Sequence, residues 1–272
     1  MINYLFSDLD GTLLNSQGIV SPQTVQAVRE SGLPMTLVSA RAPIEMRDTI
    51  QALGLTGPQI GFNVGLIFEY CQNQVKALQA APLDQKLALQ VLEFVKTESP
   101  TVSLSCYTQT DWVTEKVDAG TRTEQQLTGQ IVTPITSYTD HFRQYPAAIF
   151  KIMIMTLDKH VMATLAMALK QLVGSYASVK LSGQTYLEVT SAQAQKSRGI
   201  AFIKERYHLT TNEIAAFGDG ENDLPMLRAV GLPIVMGNAD STIQQYGHRV
   251  TKRNDEDGVA YACLLYTSPS PR

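Results

Sequence analysis

Two carboxylates, Asp8 and Asp10, stand two residues apart directly after the apolar run Tyr4-Leu5-Phe6. The run has the length and composition of a buried strand, and Gly11 supplies the turn that ends it. Acids at a strand's C-terminal end are costly to hold together unless a cation or a proton-transfer task keeps them there. Three other sites have the same character. Ser39 follows the apolar residues 35–38, Lys196 precedes an expected helix, and Asp219 and Asp223 follow the apolar residues 214–217. In a parallel sheet all strand C-termini face one edge, so groups distant in sequence can converge there.

Four carboxylates at one edge repel. A pair about 4 Å apart costs ~1 kcal/mol in water and ~4 kcal/mol at an effective dielectric of 20. Lys196 alone balances neither four negative charges nor a dianionic ester, so a divalent cation is expected. A metal set of Asp8, Asp10, Asp219 and Asp223, all oxygen donors with no Cys or His nearby, favours Mg2+ over zinc or copper. The chemistry expected of this group is phosphoryl transfer. Asp8 attacks phosphorus to give an aspartyl-phosphate. Asp10 protonates the leaving oxygen and then takes a proton from the hydrolytic water. The Ser39 hydroxyl, Lys196 and the turn amides near Leu9 and Asp10 stabilise the phosphoryl oxygens. Asp219 binds the metal, Asp223 binds it directly or through water, and Asn222 orients the shell. Singly, each residue has an ordinary reading: Ser39 as a helix N-cap, Lys196 as a surface lysine, Arg41 as half of a core salt bridge. Their order along the chain, each at a strand end or helix start, is what points to chemistry.

The elements that must position these groups alternate. Ser21 and Pro22 mark a helix start, with an amphipathic stretch to Glu30 and a stop at Gly32. Residues 35–38 read as a strand, Pro43 to Leu53 as a helix stopped by Gly54, and Ile60 to Asn63 and Leu66 to Glu69 as short strands. This strand–helix alternation predicts a parallel sheet with crossover helices. The middle differs. Helical spacing runs from Asp84 to Lys96 and from Lys159 to Leu172, the second capped by Asp158. Between and after these helices come strand candidates at 102–107, 112–114, 147–156, 179–181 and 186–189. Met153, Met155, Met162 and Met167 are expected to be core filler. From Gly199 the alternation returns, with a helix to Tyr207, a strand over 214–217, a short helix over 224–229 and a strand over 233–236.

The composition narrows the class. A chain of 272 residues with 44% hydrophobic content supports one large or two ordinary domains. A net charge of −3 with no basic cluster gives no footprint for nucleic acid. No apolar run approaches the ~18–20 residues of a membrane span. Asp8 and Asp10 interrupt any signal-peptide core. Cys71, Cys106 and Cys263 have neither metal-ligand nor framework spacing. Together these predict a cytoplasmic protein with reduced thiols, a small-molecule partner, and a monomer or homodimer.

At this point the residues resemble a known family. Asp8-Leu9-Asp10-Gly11-Thr12-Leu13-Leu14, Ser39 within Val38-Ser39-Ala40-Arg41, Lys196, and Gly218-Asp219-Gly220-Glu221-Asn222-Asp223 are similar to the four motifs of the haloacid dehalogenase superfamily. The resemblance is to its Cof-like phosphatases, and it extends to Met236-Gly237-Asn238-Ala239 and to residues 254–260. Departures are local: Ala40 stands where the family usually has glycine, Asn63-Val64-Gly65 where Asn-Gly-Ala is common, and Ser197 where glycine often follows the lysine. None removes a catalytic side chain.

The resemblance implies an α/β fold: a Rossmann-like core of residues 1–80 and 185–262, and an inserted α+β cap of residues 81–184 that covers the site and selects the substrate. It implies catalytic roles for Asp8, Asp10, Ser39 and Lys196. Phosphate or substrate contacts fall to Leu9, Gly11, Ser39, Ala40, Arg41, Asn63, Lys196 and Asn222. The expected activity is Mg2+-dependent hydrolysis of a sugar phosphate, nucleotide or cofactor phosphate. A phosphotransferase or phosphomutase and a non-catalytic phosphometabolite-binding protein are the alternatives. Residues 263–272 fit neither element pattern and resemble one reading frame of a sequencing adapter. They are expected to be a non-native read-through tail, which resequencing the locus would test.

Overall fold

The computed structural model describes residues 1–194 and 196–266. Two compact units emerge from its contacts. One comprises Met1–Arg41, Met46–Leu78 and the chain from Gln195 on; the other comprises Ala42–Glu45 and Gln79–Ala194.

The first unit opens with β1 (Tyr4–Ser7), α1 (Pro22–Ser31), β2 (Met35–Leu37), α2 (Pro43–Leu53), β3 (Gln59–Gly61), β4 (Leu66–Cys71) and β5 (Gln74–Ala80). The local signals act as their chemistry predicts. The Ser21 hydroxyl accepts from Thr24 N at 3.0 Å, Pro22 sits at the first helical position, and Gly32 ends α1 at φ 63°. One expected strand is shorter than its apolar run. Residues 60–63 leave the sheet at Gly61, and Phe62, Asn63 and Val64 form a turn with φ of 53°, 54° and 77°.

The second unit follows with α3 (Gln85–Glu98), β6 (Ser103–Tyr107), β7 (Trp112–Thr114), α4 (Ala119–Thr128), β8 (Thr133–Pro134), α5 (Tyr138–Gln144), β9 (Lys151–Met155), α6 (Lys159–Val173), β10 (Ala177–Ser182) and β11 (Tyr186–Ser191). Its sheet has the order β10-β11-β9-β6-β7-β8 and is antiparallel except for the parallel β7–β8 pair. The insert therefore runs to Ala194, not to 184 as the sequence reading placed it. β11 pairs in full register with β9 and β10, so residues 186–191 complete this sheet. One face carries the apolar core, with Leu104, Cys106, Ile152, Ile154, Leu187 and Val189 packed with residues of α3 and α6. The methionines divide. Met162 joins that core, Met153 is buried on the opposite face, and Met167 is exposed. Met153 and Met155 share the non-core face of β9, and Met162 and Met167 lie on the inner and outer sides of α6, so they are not one filler stripe.

The chain then returns to the first unit with α7 (Lys196–Arg206), β12 (Ile214–Gly218), α8 (Leu224–Leu227), β13 (Leu232–Val235), α9 (Ser241–Gln244), β14 (Arg249–Val250) and α10 (Gly258–Tyr266). The sheet β14-β13-β12-β1-β2 is parallel throughout. Its central strands are buried on both faces. Tyr4, Phe6, Ile214 and Ala216 pack with Ile200, Ile203 and Met226, while Leu5, Leu37, Ala215 and Phe217 are buried on the other side. Each large side chain so buried contributes roughly 1.5–3 kcal/mol. α10 takes in the start of the stretch that shows no element pattern in sequence. Residues 263–266 continue the helix, and Cys263 is buried with Val259, Ala260 and Ala262. Residues 267–272 of the expected tail lie outside the described residues. No helix among the described residues is long and apolar enough to cross a membrane.

Candidate active site

The parallel register of the first unit assembles the site. Ser7 lies opposite Phe217 on one side and Leu37 on the other. The next residue, Asp8, donates its backbone N–H to Phe217 O at 3.0 Å, and Val38 N donates to Ser7 O at 2.8 Å. Asp8, Ser39 and Asp219 are thus each one or two residues past the end of adjacent strands, at one edge.

Three carboxylates meet there. One oxygen each from Asp8, Asp219 and Asp223 lie within 4.8 Å of one another, with Asp8 and Asp223 buried. The turn after β12 is built around the last of them. Asp223 Oδ2 accepts from the backbone N–H of Asp219 and of Gly220, both at 3.0 Å. A side chain at Gly218 would put its Cβ 2.6 Å from Asp223 Cβ, so only glycine lets the turn close. Thr12 Oγ1 donates to Asp219 Oδ1 at 2.7 Å. Gly11, at φ +78°, presses its backbone against the same carboxylate; an added Cβ would sit 2.9 Å from Asp219 Cγ. Three gathered carboxylates are acceptors only, repel one another, and form a hard oxygen donor set. That donor set fits Mg2+.

Asp10 does not join this group, although the sequence reading counted it as a fourth metal-binding side chain. Its carboxylate turns to Arg41, which grips it in a two-pronged pair: Nε to Oδ2 at 2.9 Å and Nη2 to Oδ1 at 2.6 Å. The physical reason is position. Asp10 lies in the turn beyond the strand, its side chain is 58% exposed, and the motif-two arginine reaches it at 2.6 Å. Arg41 is therefore a clamp on Asp10.

The remaining expected residues fall as follows. Ser39 is buried, and its Oγ accepts from Arg41 N at 3.1 Å, which leaves the hydroxyl hydrogen to donate. Ala40 occupies the bend between them. Asn63 sits in the left-handed turn and donates its backbone N–H to Ser39 O at 2.9 Å, so it braces Ser39 through the main chain. Leu9 is fully buried and offers the site only its backbone. Asn222 is exposed on the turn beside Asp223. Lys196 opens α7, and its side chain lies outside the described residues. Sequence reasoning missed Thr12 as a partner of Asp219, and it gave Asn238 no role although Asn238 lies three residues past the end of β13, near the sheet edge that carries the carboxylates.

The second unit has a polar face of its own. Trp112, Tyr107, Lys151, Thr190 and Ser178 stand in one register row across β7, β6, β9, β11 and β10. The Tyr107 and Trp112 rings stack with centroids 5.5 Å apart, and Lys151 Nζ lies 4.4 Å from the Tyr107 ring centre. Lys151 Nζ is also 3.9 Å from Glu45 Oε2, both side chains being buried. Tyr186 donates to Glu124 Oε2 at 2.7 Å. Burial, then the charges of Glu45, Glu124 and Glu188, push the Tyr107 hydroxyl well above its ordinary range.

Comparison with known proteins follows this geometry. The family model described as haloacid dehalogenase-like hydrolase matches residues 5–263. A relative from Haemophilus influenzae, provisionally named a phosphatase, is 30% identical over 265 residues and is matched over 96% of each chain. The pyridoxal phosphate phosphatase of Escherichia coli is 26% identical over 274 residues, covering 93% of this chain and 94% of the relative. A crystal structure of a haloacid dehalogenase-like hydrolase from Bacteroides thetaiotaomicron superposes with a TM-score of 0.88 at 24% identity, over 97% of this chain and 99% of that one.

Proposed function

The chain belongs to the haloacid dehalogenase-like hydrolases and is a phosphatase; on that premise we propose that it hydrolyses phosphomonoesters of small cytoplasmic metabolites with Mg2+, through an aspartyl-phosphate on Asp8. The observation that carries this reading is the meeting of Asp8, Asp219 and Asp223 at one sheet edge, with Asp10 held apart by Arg41.

Asp8, Asp219 and Asp223 would hold Mg2+, which when bound supplies positive charge against the phosphoryl oxygens. The protein's own residues do the rest. An Asp8 oxygen forms a bond to phosphorus as the ester P–O bond breaks, and the departing oxygen takes its proton from Asp10 in its protonated form, one carboxyl oxygen released from Arg41 to carry it. Asp10, now a carboxylate steadied by Arg41, takes a proton from water as that water's oxygen bonds to phosphorus and the Asp8–phosphorus bond breaks. Ser39 donates its hydroxyl to a phosphoryl oxygen, and Lys196 neutralises charge beside it. The insert, residues 81–184 by sequence and Gln79–Ala194 by contacts, confers selectivity for the leaving group.

The test is phosphate release, with Mg2+ and no added acceptor, across sugar phosphates, nucleotides and pyridoxal phosphate. Turnover of at least one class is expected. Phosphoryl transfer only when a second hydroxyl compound is supplied would replace hydrolysis with a phosphotransferase, and no turnover of any ester would end the reading.

A further inference from the structure

Asp8 and Asp219 follow strands directly and Asp223 is held by the amides of the turn after β12, whereas Asp10 lies in the turn after β1, in an isolated bridge with Leu14 and with its carboxylate gripped by Arg41. The backbone of that turn is also held from outside it. Gly11, next to Asp10, is gripped from two sides. On one side its Cα rests against the Asp219 carboxylate. On the other, its carbonyl accepts from Asn238 Nδ2 at 2.8 Å. Asn238 is itself fixed, since its Oδ1 accepts from Asn254 N at 3.0 Å. The Asn254 side chain reaches the same loop further on and donates to Leu14 O at 2.9 Å. Beyond it, Asp255 accepts from Ser16 N at 2.7 Å, and Asp257 accepts from Thr24 Oγ1 at 3.1 Å and from Ser21 Oγ. The segment from Gly11 to Thr24 is thereby hooked to residues 238–257, more than 200 positions away in sequence.

We propose that Asn238, held by Asn254, is a positioning residue for the acid/base step: by fixing the Gly11 carbonyl it sets where Asp10 stands relative to Asp8. Both asparagines lie outside the four catalytic motifs, and neither touches the three carboxylates in the bonds described. The inference rests on the phosphatase reading above, because it assigns a role within that reaction.

The position of Asp10 matters most when the leaving oxygen needs a proton. An alkyl phosphate, such as glycerol phosphate, needs one; p-nitrophenyl phosphate, whose leaving group is stable as an anion, needs it far less. Loss of the Asn238 amide therefore predicts an unequal loss. General acid catalysis is worth about 10²–10⁴ in rate, and a displaced acid forfeits part of it. In Asn238→Ala, kcat/KM for the alkyl ester is expected to fall about tenfold or more, with a fall of less than about threefold for the aryl ester. Asn238→Asp keeps the acceptor for Asn254 N but cannot donate to Gly11 when ionised, so it should reproduce the unequal loss. Asn254→Ala, which keeps its backbone N–H, should show a smaller one.

Hydrogen exchange on the metal-free full-length protein gives a readout independent of turnover. Amides of residues 10–14 should exchange faster in Asn238→Ala, while those of β1 stay protected. Equal losses on both esters, wild-type behaviour of Asn238→Asp, or unchanged exchange at residues 10–14 would each overturn the proposal. A wild-type protein that releases no phosphate from either ester would refute the phosphatase reading instead, and the exchange experiment would still decide whether Asn238 holds the loop.

Discussion

The parallel sheet of the first unit and the six-stranded sheet of the second place their polar residues by opposite rules. In the parallel sheet the central strands β1 and β12 are buried on both faces, and the acids and Ser39 come only past the strand ends: Asp8 after Ser7, Ser39 after Val38, Asp219 after Gly218. In the second unit the strands themselves alternate. Cys106, Ile152 and Val189 enter the core, and Tyr107, Lys151 and Thr190, one position away, form the opposite face. A parallel sheet covered on both sides leaves only its edge for a charged ligand. The second unit's sheet is buried on its other face as well, with Tyr107, Trp112 and Lys151 at most 4% exposed, but it lines that face with polar and aromatic side chains. The difference is one of placement: one sheet gathers its polar groups past the strand ends, the other sets them at alternate positions within its strands.

The contrast can be broken at several points. The largest effect is expected from Asp8→Asn, which should cost about 10⁴-fold or more in turnover while the fold persists, because the nucleophile acts as a unit with its partners; steady-state phosphate release and circular dichroism together check it. Mg2+ comes next. Chelation should abolish activity, and Mg2+ at about a hundred times its dissociation constant should stabilise the protein by about 2.7 kcal/mol. Asp219→Asn should remove most of that thermal shift, measured without substrate. Arg41→Ala should lower kcat by about 10–100-fold through a misplaced acid/base, with smaller effects on KM. On the face of the second unit, Lys151→Met should instead change the ranking of substrates by about tenfold in kcat/KM, leaving p-nitrophenyl phosphate little affected. An equal loss on every ester would place Lys151 with the reaction machinery and erase the distinction. The smallest effect is on thiol chemistry. Cys71 is exposed and should label quickly, whereas Cys106 in the second unit and Cys263 in the first are buried. Burial pushes both thiols up, Cys263 to about 12, so each should label only as its own unit opens.

The same rules decide what the sequence made legible. Strand–turn–acid punctuation is local, so Asp8, Ser39 and Asp219 could be placed from their neighbours alone, as could the caps Ser21 and Asp158. The insert's core helices were legible from periodicity. Its boundary was not, because nothing in residues 185–194 says which sheet β11 will join, and only pairing decides that. α4 and α5 escaped notice because both are short and mostly polar, capped by Asp118 and Ser137, with only Tyr138 and Phe142 of α5 reaching the core. The Asp10–Arg41 pair was within reach as one of two readings of Arg41. The Asn238 bond to Gly11 was not, since it joins two loops 227 residues apart with no charge to predict it.

The account stands on Asp8 accepting the phosphoryl group at an edge shared with Asp219 and Asp223. Rapid acid quench of the protein during turnover of a phosphomonoester with Mg2+, followed by peptide mass spectrometry, tests this directly. A phosphoryl mass increment on the peptide containing Asp8, mapped to Asp8 and missing in Asp8→Asn, is the predicted result. Undiminished hydrolysis by Asp8→Asn, or an increment mapped to any other residue, would contradict it.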